Sequence, residues 1–216
     1  QDSLVGSEMC IRDSIYYEAE QSLTMPINEQ IGWITGSQVC YCAEAFQGVP
    51  REHPDAPALS VLATVLRNGF LHTAIREKGG AYGAGATNDT STNTFKFFSY
   101  RDPKCAETFV AFKDAIEWSK TSITDQHLEE AILGVVSSID KPLSPVGEAK
   151  NDFNFNLEDI SIKERLEMRQ RVINCSIEDL TRVCEKYLTQ DSKKSILAGE
   201  AYREEASSLG LSLRDV

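Results

Sequence analysis

A chain of 216 residues, 41% hydrophobic and 25% charged, has the composition of a globular protein able to bury a real core. Its formal charge of −11, from 33 acidic and 22 basic side chains, argues against a nucleic-acid partner, whose electrostatic footprint on a protein is basic. No apolar run reads as a bilayer span and no basic-then-apolar opening reads as a secretory signal, so no membrane partner is expected.

The first fourteen residues, QDSLVGSEMCIRDS, have no clear period, and SEMCIRDS is similar to translated sequencing-adapter read-through. Residues 1–14 are therefore expected to be a non-native leader. From Gly36 to Gly48, GSQVCYCAEAFQG alternates: Val39, Tyr41, Ala43 and Ala45 share one face, and Cys40, Cys42, Glu44 and Phe46 the other. That pattern predicts a strand covered on at least part of both faces. HPDAPALSVLATVLRNGF then spaces Leu59, Leu62, Val65 and Leu66 as a helix, with Pro54 and Pro57 at its entry. Asn68-Gly69 is expected to kink or interrupt it before LHTAIREK resumes.

Gly79-Gly80 supply a C-terminal stop, AYGAGATND reads as a strand and TNTFKFFSYRD as a second one. Asp102-Pro103 opens a helix through Trp118, and Thr124 caps another to about Ile139, which DKPLSP ends. Further helices fit 144–156, 161–173 and 176–188, the last from a Ser176-x-x-Asp179 cap, and SKKSILAGE closes as a strand. Strands grouped before long helices predict an α+β fold. Residues after Tyr202, rich in Glu and Ser, read as a loosely held tail.

The six cysteines, at 10, 40, 42, 105, 175 and 184, show no C-x-x-C framework and read as free, mostly buried thiols. Cys40 and Cys42 on a strand point to one face, where bridging them to each other is strained. His127-Leu-Glu-Glu130 resembles half of an H-x-x-E-H zinc motif, but position 131 is Ala, and no metal site is written in the chain. No G-x-S-x-G is present, and the glycines of GGAYGAG follow a helix instead of opening one, which excludes a phosphate cradle.

One stretch remains, IREKGGAYGAGA. In one reading Arg76 caps helix carbonyls, the glycines turn the chain and Tyr82 packs on the sheet. In the other, Arg76 at a helix end and Tyr82 at the next strand's start present two hydrogen-bond donors to a carbonyl or oxyanion. The glycines then remove bulk where a ligand approaches.

HPDAPALSVLATVLRNGFLHTAIREKGGAYGAGA, with FSYRDP, AIEWS and LEEAILGVVSSIDKPLSPVGEAK, resembles the final domain of insulinase-like (pitrilysin) zinc metallopeptidases, in particular their presequence protease branch. The similarity runs from about Trp33 to Gly199. It implies a mainly antiparallel sheet packed against a layer of helices over 36–200, with 15–35 a remnant of an interdomain segment and 201–216 a tail. It also implies that the chain is the C-terminal part of a longer metalloendopeptidase that degrades unfolded peptides. Zinc, absent from this chain, would be held by an N-terminal catalytic half of the same polypeptide, which is the expected partner besides the peptide substrates. By resemblance Arg76 grips substrate backbone carbonyls and orients Tyr82, which donates a hydrogen bond to the tetrahedral oxyanion. The chain alone is expected to be inactive. Bacterial cytoplasm or an organelle matrix is the expected location, and the acidic surplus is expected to favour cationic peptides. The alternatives are a non-catalytic insulinase-like structural or substrate-guiding subunit and a free-standing peptide-binding module. Both members of the Arg76–Tyr82 pair are present, which favours the peptidase.

Overall fold

The computed structural model describes residues 29–216. The expectations for residues 1–14, for Cys10 and for most of 15–35 lie outside the described residues. The fold is α+β: one six-stranded sheet with helices against one face. Its strands are β1 (Ile31–Thr35), β2 (Cys40–Gln47), β3 (Gly83–Asp89), β4 (Thr94–Asp102), β5 (Lys193–Gly199) and β6 (Ser212–Asp215), in the spatial order β3-β4-β2-β5-β1-β6. The pairs β3–β4, β4–β2 and β2–β5 are antiparallel, and β1 joins β5 and β6 in parallel.

The domain boundaries drawn from the sequence need correction at both ends. Residues 31–35 are a strand inside the sheet, and the tail supplies both a short helix and the edge strand β6. Five-residue and four-residue strands carry too little periodicity to stand out in a sequence. Their pairing partners, not their own patterns, place them.

The helices are α1 (Ala56–Leu66), α2 (Ala106–Thr121), α3 (Asp125–Ile139), α4 (Pro145–Leu157), α5 (Ile162–Ile173), α6 (Ile177–Tyr187) and α7 (Arg203–Ser208). Their starts follow local chemistry. Thr124, Ser161 and Ser176 each accept from the N–H three residues on, and His127, Glu164 and Asp179 return the bond to the cap N–H. His127, which resembled a zinc ligand, is therefore a capping residue.

Asn68-Gly69 does not break the first helix. The chain continues from α1 into a π-helical segment, Arg67–Glu77, where each turn takes in an extra residue. Gly69 is needed there, because a Cβ would stand 2.6 Å from Trp118 Cη2. The continuous Ala56–Glu77 helix has 22 residues and is apolar enough by length and composition to cross a membrane, which separate segments did not suggest. Half of its apolar window is buried within the fold, the situation of a core helix.

The core lies between this helix layer and one sheet face. Leu59, Leu62, Leu66, Leu71 and Ile75 meet Phe95 and Phe97 of β4, Phe46 of β2 and Phe112 of α2, all buried. Phe97 is the hub, stacked on Phe112 at 5.3 Å and edge-on to Phe95 and Phe46 at 5.5 and 6.0 Å. Cys40 and Cys42 do share the inward face of β2, and the five described cysteines are free. Hydrogen bonding to Cys105 and burial push the thiols of Cys40 and Cys42 up. The opposite face of β2 is covered only in part: Tyr41 and Ala43 are exposed and Ala45 is half-buried.

Asp55, just ahead of α1, ties the first helix to α6. Its carboxylate accepts from Arg182 Nη1 at 2.6 Å, Lys186 Nζ at 2.9 Å and Tyr187 Oη at 2.7 Å. Burial alone would raise its pKa, but these three donors together hold the carboxyl far below the usual carboxylate range.

Candidate functional site at the helix–strand junction

The π-helical segment ends in a turn that joins Arg76 to Tyr82. Gly80 N–H donates to the Arg76 carbonyl and Ala81 N–H to the Ile75 carbonyl, each at 3.1 Å. Gly80 has φ of +85°, which an L side chain rarely adopts, so the stop expected at Gly79-Gly80 is the observed one. Beyond it, Tyr82 N–H donates to the Arg101 carbonyl at 3.2 Å, one step before β3 begins. The junction is thus clamped on both sides by backbone bonds.

Both sequence-predicted residues reach solvent. Arg76 is exposed on the last turn of the segment, and Tyr82 is 63% exposed. Their side chains have different immediate partners. Arg76 Nη1 donates to His72 Nε2 at 3.1 Å. The accepting nitrogen must carry a lone pair, which puts the ring proton on Nδ1, 3.4 Å from Glu77 Oε1. The bond to His72 steadies the guanidinium, and Glu77 lies beside the imidazole. The Tyr82 ring instead lies 5.6 Å from the Tyr100 ring, with the Arg101 guanidinium 5.8 Å above its centroid.

Tyr100 and Arg101 occupy a β-bulge. Cys42 pairs with Ser99 and Cys40 with Asp102, so two residues of β4 oppose the single residue Tyr41. Without the extra residue, alternation would turn Arg101 inward and Asp102 outward. With it, Tyr100 and Arg101 are both exposed and Asp102 is buried. Asp102 is held inside by Thr108 Oγ1, which donates to it at 2.7 Å, and by Lys104 N–H at 2.9 Å. Arg101 takes φ of +49°, a left-handed conformation that costs a non-glycine residue roughly 1–2 kcal/mol.

The glycines do not open a path to a ligand as the sequence suggested. Gly83 faces Tyr100 and Gly85 faces Phe98 across the β3–β4 pair. A Cβ on Gly83 would stand 2.4 Å from Tyr100 Cζ, and one on Gly85 3.0 Å from Phe98 Cζ. The space is filled by the chain's own aromatic rings lying across an edge strand. Sequence reasoning also passed over His72, Tyr100 and Arg101. Each sits inside a quoted block, RNGFLHTAIREKGGAYG or FSYRDP; His72 stands four residues before Arg76, and the placement of Tyr100 and Arg101 depends on the bulge.

Comparison with known proteins decides the family. The profile of the PreP C-terminal domain matches residues 18–198. This chain belongs to the PreP C-terminal domain family. The mitochondrial presequence protease of Eremothecium gossypii is 39% identical over 157 residues, covering 72% of this chain and 16% of that protein. The mouse mitochondrial presequence protease is 38% identical over 151 residues, covering 69% of this chain and 14% of its own length. The chain thus spans about a sixth of the curated relatives it matches. Among solved structures, a protease from Helicobacter pylori superposes with TM-score 0.67 at 18% identity, over 80% of this chain and 45% of that one. A peptidase M16 inactive domain from Pseudomonas fluorescens gives TM-score 0.63 at 21% identity, over 79% of this chain and 43% of that one. The insulinase-like fold expected for the PreP C-terminal domain is the fold observed.

Proposed function

We infer that this chain is the substrate-side C-terminal domain of a longer zinc metalloendopeptidase acting on unfolded, presequence-like peptides. The observation that carries the reading is the exposure of two donors, Arg76 and Tyr82, on a junction clamped by backbone bonds. Arg76, steadied by His72, binds a substrate backbone carbonyl through charge-assisted bonds. Tyr82 donates its hydroxyl to the oxyanion of the tetrahedral intermediate, a donor placed before the charge develops. The partners are the peptide and a catalytic half of the same polypeptide, and the mitochondrial relatives favour an organelle matrix over bacterial cytoplasm.

Zinc does not fit the described residues. Among the described residues, no group of three or more His, Cys, Asp or Glu could hold a metal ion. Its three histidines serve other ends: His53 Nδ1 accepts from Asp55 N–H, His72 from Arg76, and His127 caps α3. The purified chain is accordingly expected to leave a quenched fluorescent peptide uncut, and chelator-sensitive cleavage by it would contradict the assignment.

In the full-length polypeptide, Arg76→Ala is expected to raise KM about tenfold or more, the loss of one charge-assisted hydrogen bond. Steady-state kinetics on an unfolded peptide checks this. An unchanged KM and kcat would remove Arg76 from substrate binding.

A further inference from the structure

The bulge at Tyr100–Arg101 turns Asp102 inward, but burying Asp102 does not require an arginine at position 101. It places an arginine in left-handed backbone, exposes it, and brings its guanidinium to an aromatic ring and not to a carboxylate. Three separate features converge on that placement. The buried Asp102 fixes the strand beyond the bulge, the Arg101 carbonyl accepts from Tyr82 N–H, and Gly83 clears room for the Tyr100 ring. The bulge would bury Asp102 equally well with glycine at 101, so an arginine kept there in left-handed backbone points to a task for its side chain.

We propose that Arg101 is a positioning residue for Tyr82. Its guanidinium over the phenol face, with the Tyr100 ring beside it, holds the ring of an otherwise exposed tyrosine and so aims the hydroxyl at one point in space. Arg76, to which the family resemblance gives this service, is bonded to His72, and the guanidinium over the Tyr82 ring is that of Arg101. The inference rests on the assignment of Tyr82 as an oxyanion donor and adds the group that keeps that donor in place. Arg101 itself makes no bond to the substrate in this account, so it acts on kcat through the phenol.

The test uses the full-length peptidase carrying Arg101→Gly, Tyr82→Phe and both together. Glycine suits φ of +49°, so Arg101→Gly removes the guanidinium while relieving the backbone, and the thermal midpoint should hold or rise. With Tyr82 present, kcat should fall about fivefold while KM stays within about twofold. In the Tyr82→Phe background, where no hydroxyl remains to be aimed, Arg101→Gly should cost nothing more. Arg101→Lys, which keeps a cation but loses the flat guanidinium, should recover part of the loss. Two results overturn the inference and leave Tyr82's own role standing. One is an unchanged kcat for Arg101→Gly beside a depressed kcat for Tyr82→Phe; the other is an equal Arg101→Gly loss in both backgrounds. An undiminished kcat for Tyr82→Phe itself brings down the underlying assignment, and this inference with it.

Discussion

Tyr82→Phe in the full-length enzyme should lower kcat by about 100- to 1,000-fold with little change in KM, the effect of removing one oxyanion donor. The substitution deletes a single oxygen from a ring whose other contacts are a neighbouring aromatic ring and a guanidinium. Neither needs the hydroxyl, so Phe should keep the ring where it is. A parallel fall in kcat and kcat/KM would mark an interaction made in the transition state alone. A rise in KM with kcat intact would instead make Tyr82 a ground-state contact.

The second large effect concerns stability. Asp55→Ala should destabilise this chain by about 3 kcal/mol at neutral pH, since it removes the acceptor of three charge-assisted or buried bonds. Arg182 and Lys186 are half exposed and can return to water. Tyr187 is 7% exposed, and its hydroxyl would lose its acceptor. The pH dependence follows from the depressed pKa of the Asp55 carboxyl. Stability from Asp55 is fully present above the unfolded value, about 3.9. It is lost progressively as pH falls toward the lower folded value. Urea midpoints of the two proteins should therefore differ at pH 7 and converge as the solution is acidified below about 4. Equal midpoints at pH 7 would show that Asp55 is not the tie between α1 and α6.

How much of this was legible in the residues follows the range of the forces involved. Capping is local, so Thr124 and Ser176 announced α3 and α6 within a residue or two. The strands containing Cys40–Gln47, Gly83–Asp89 and Thr94–Asp102 alternate or are bounded by turn residues, and they too were readable. β1 and β6 were not, because both are short and are specified by parallel neighbours distant in sequence. Asn68-Gly69 reads as a helix breaker by propensity, yet Trp118 packs over Gly69 and the helix runs on, so tertiary contact overrode local preference.

At the site, the residue types of Arg76 and Tyr82 suggested donors, and family resemblance assigned their roles. Their immediate surroundings were out of reach. His72 and Arg76 stand four apart, a spacing any helical turn brings together, but the spacing alone did not mark the bond between them. The left-handed conformation at 101 is equally hidden, because Arg is not a residue that signals positive φ. The glycines misled for a related reason: a missing side chain shows where bulk is absent, but not which neighbouring ring has taken the space.

A structure of the full-length peptidase bound to a phosphinic peptide, whose tetrahedral oxygens imitate the intermediate, bears most directly on the central claim. The Tyr82 hydroxyl should lie about 2.5–3.0 Å from a phosphinate oxygen, with the Arg76 guanidinium on a backbone carbonyl of the same peptide. A phenol turned away from the phosphinate, its place taken by a donor from another part of the polypeptide, would contradict it.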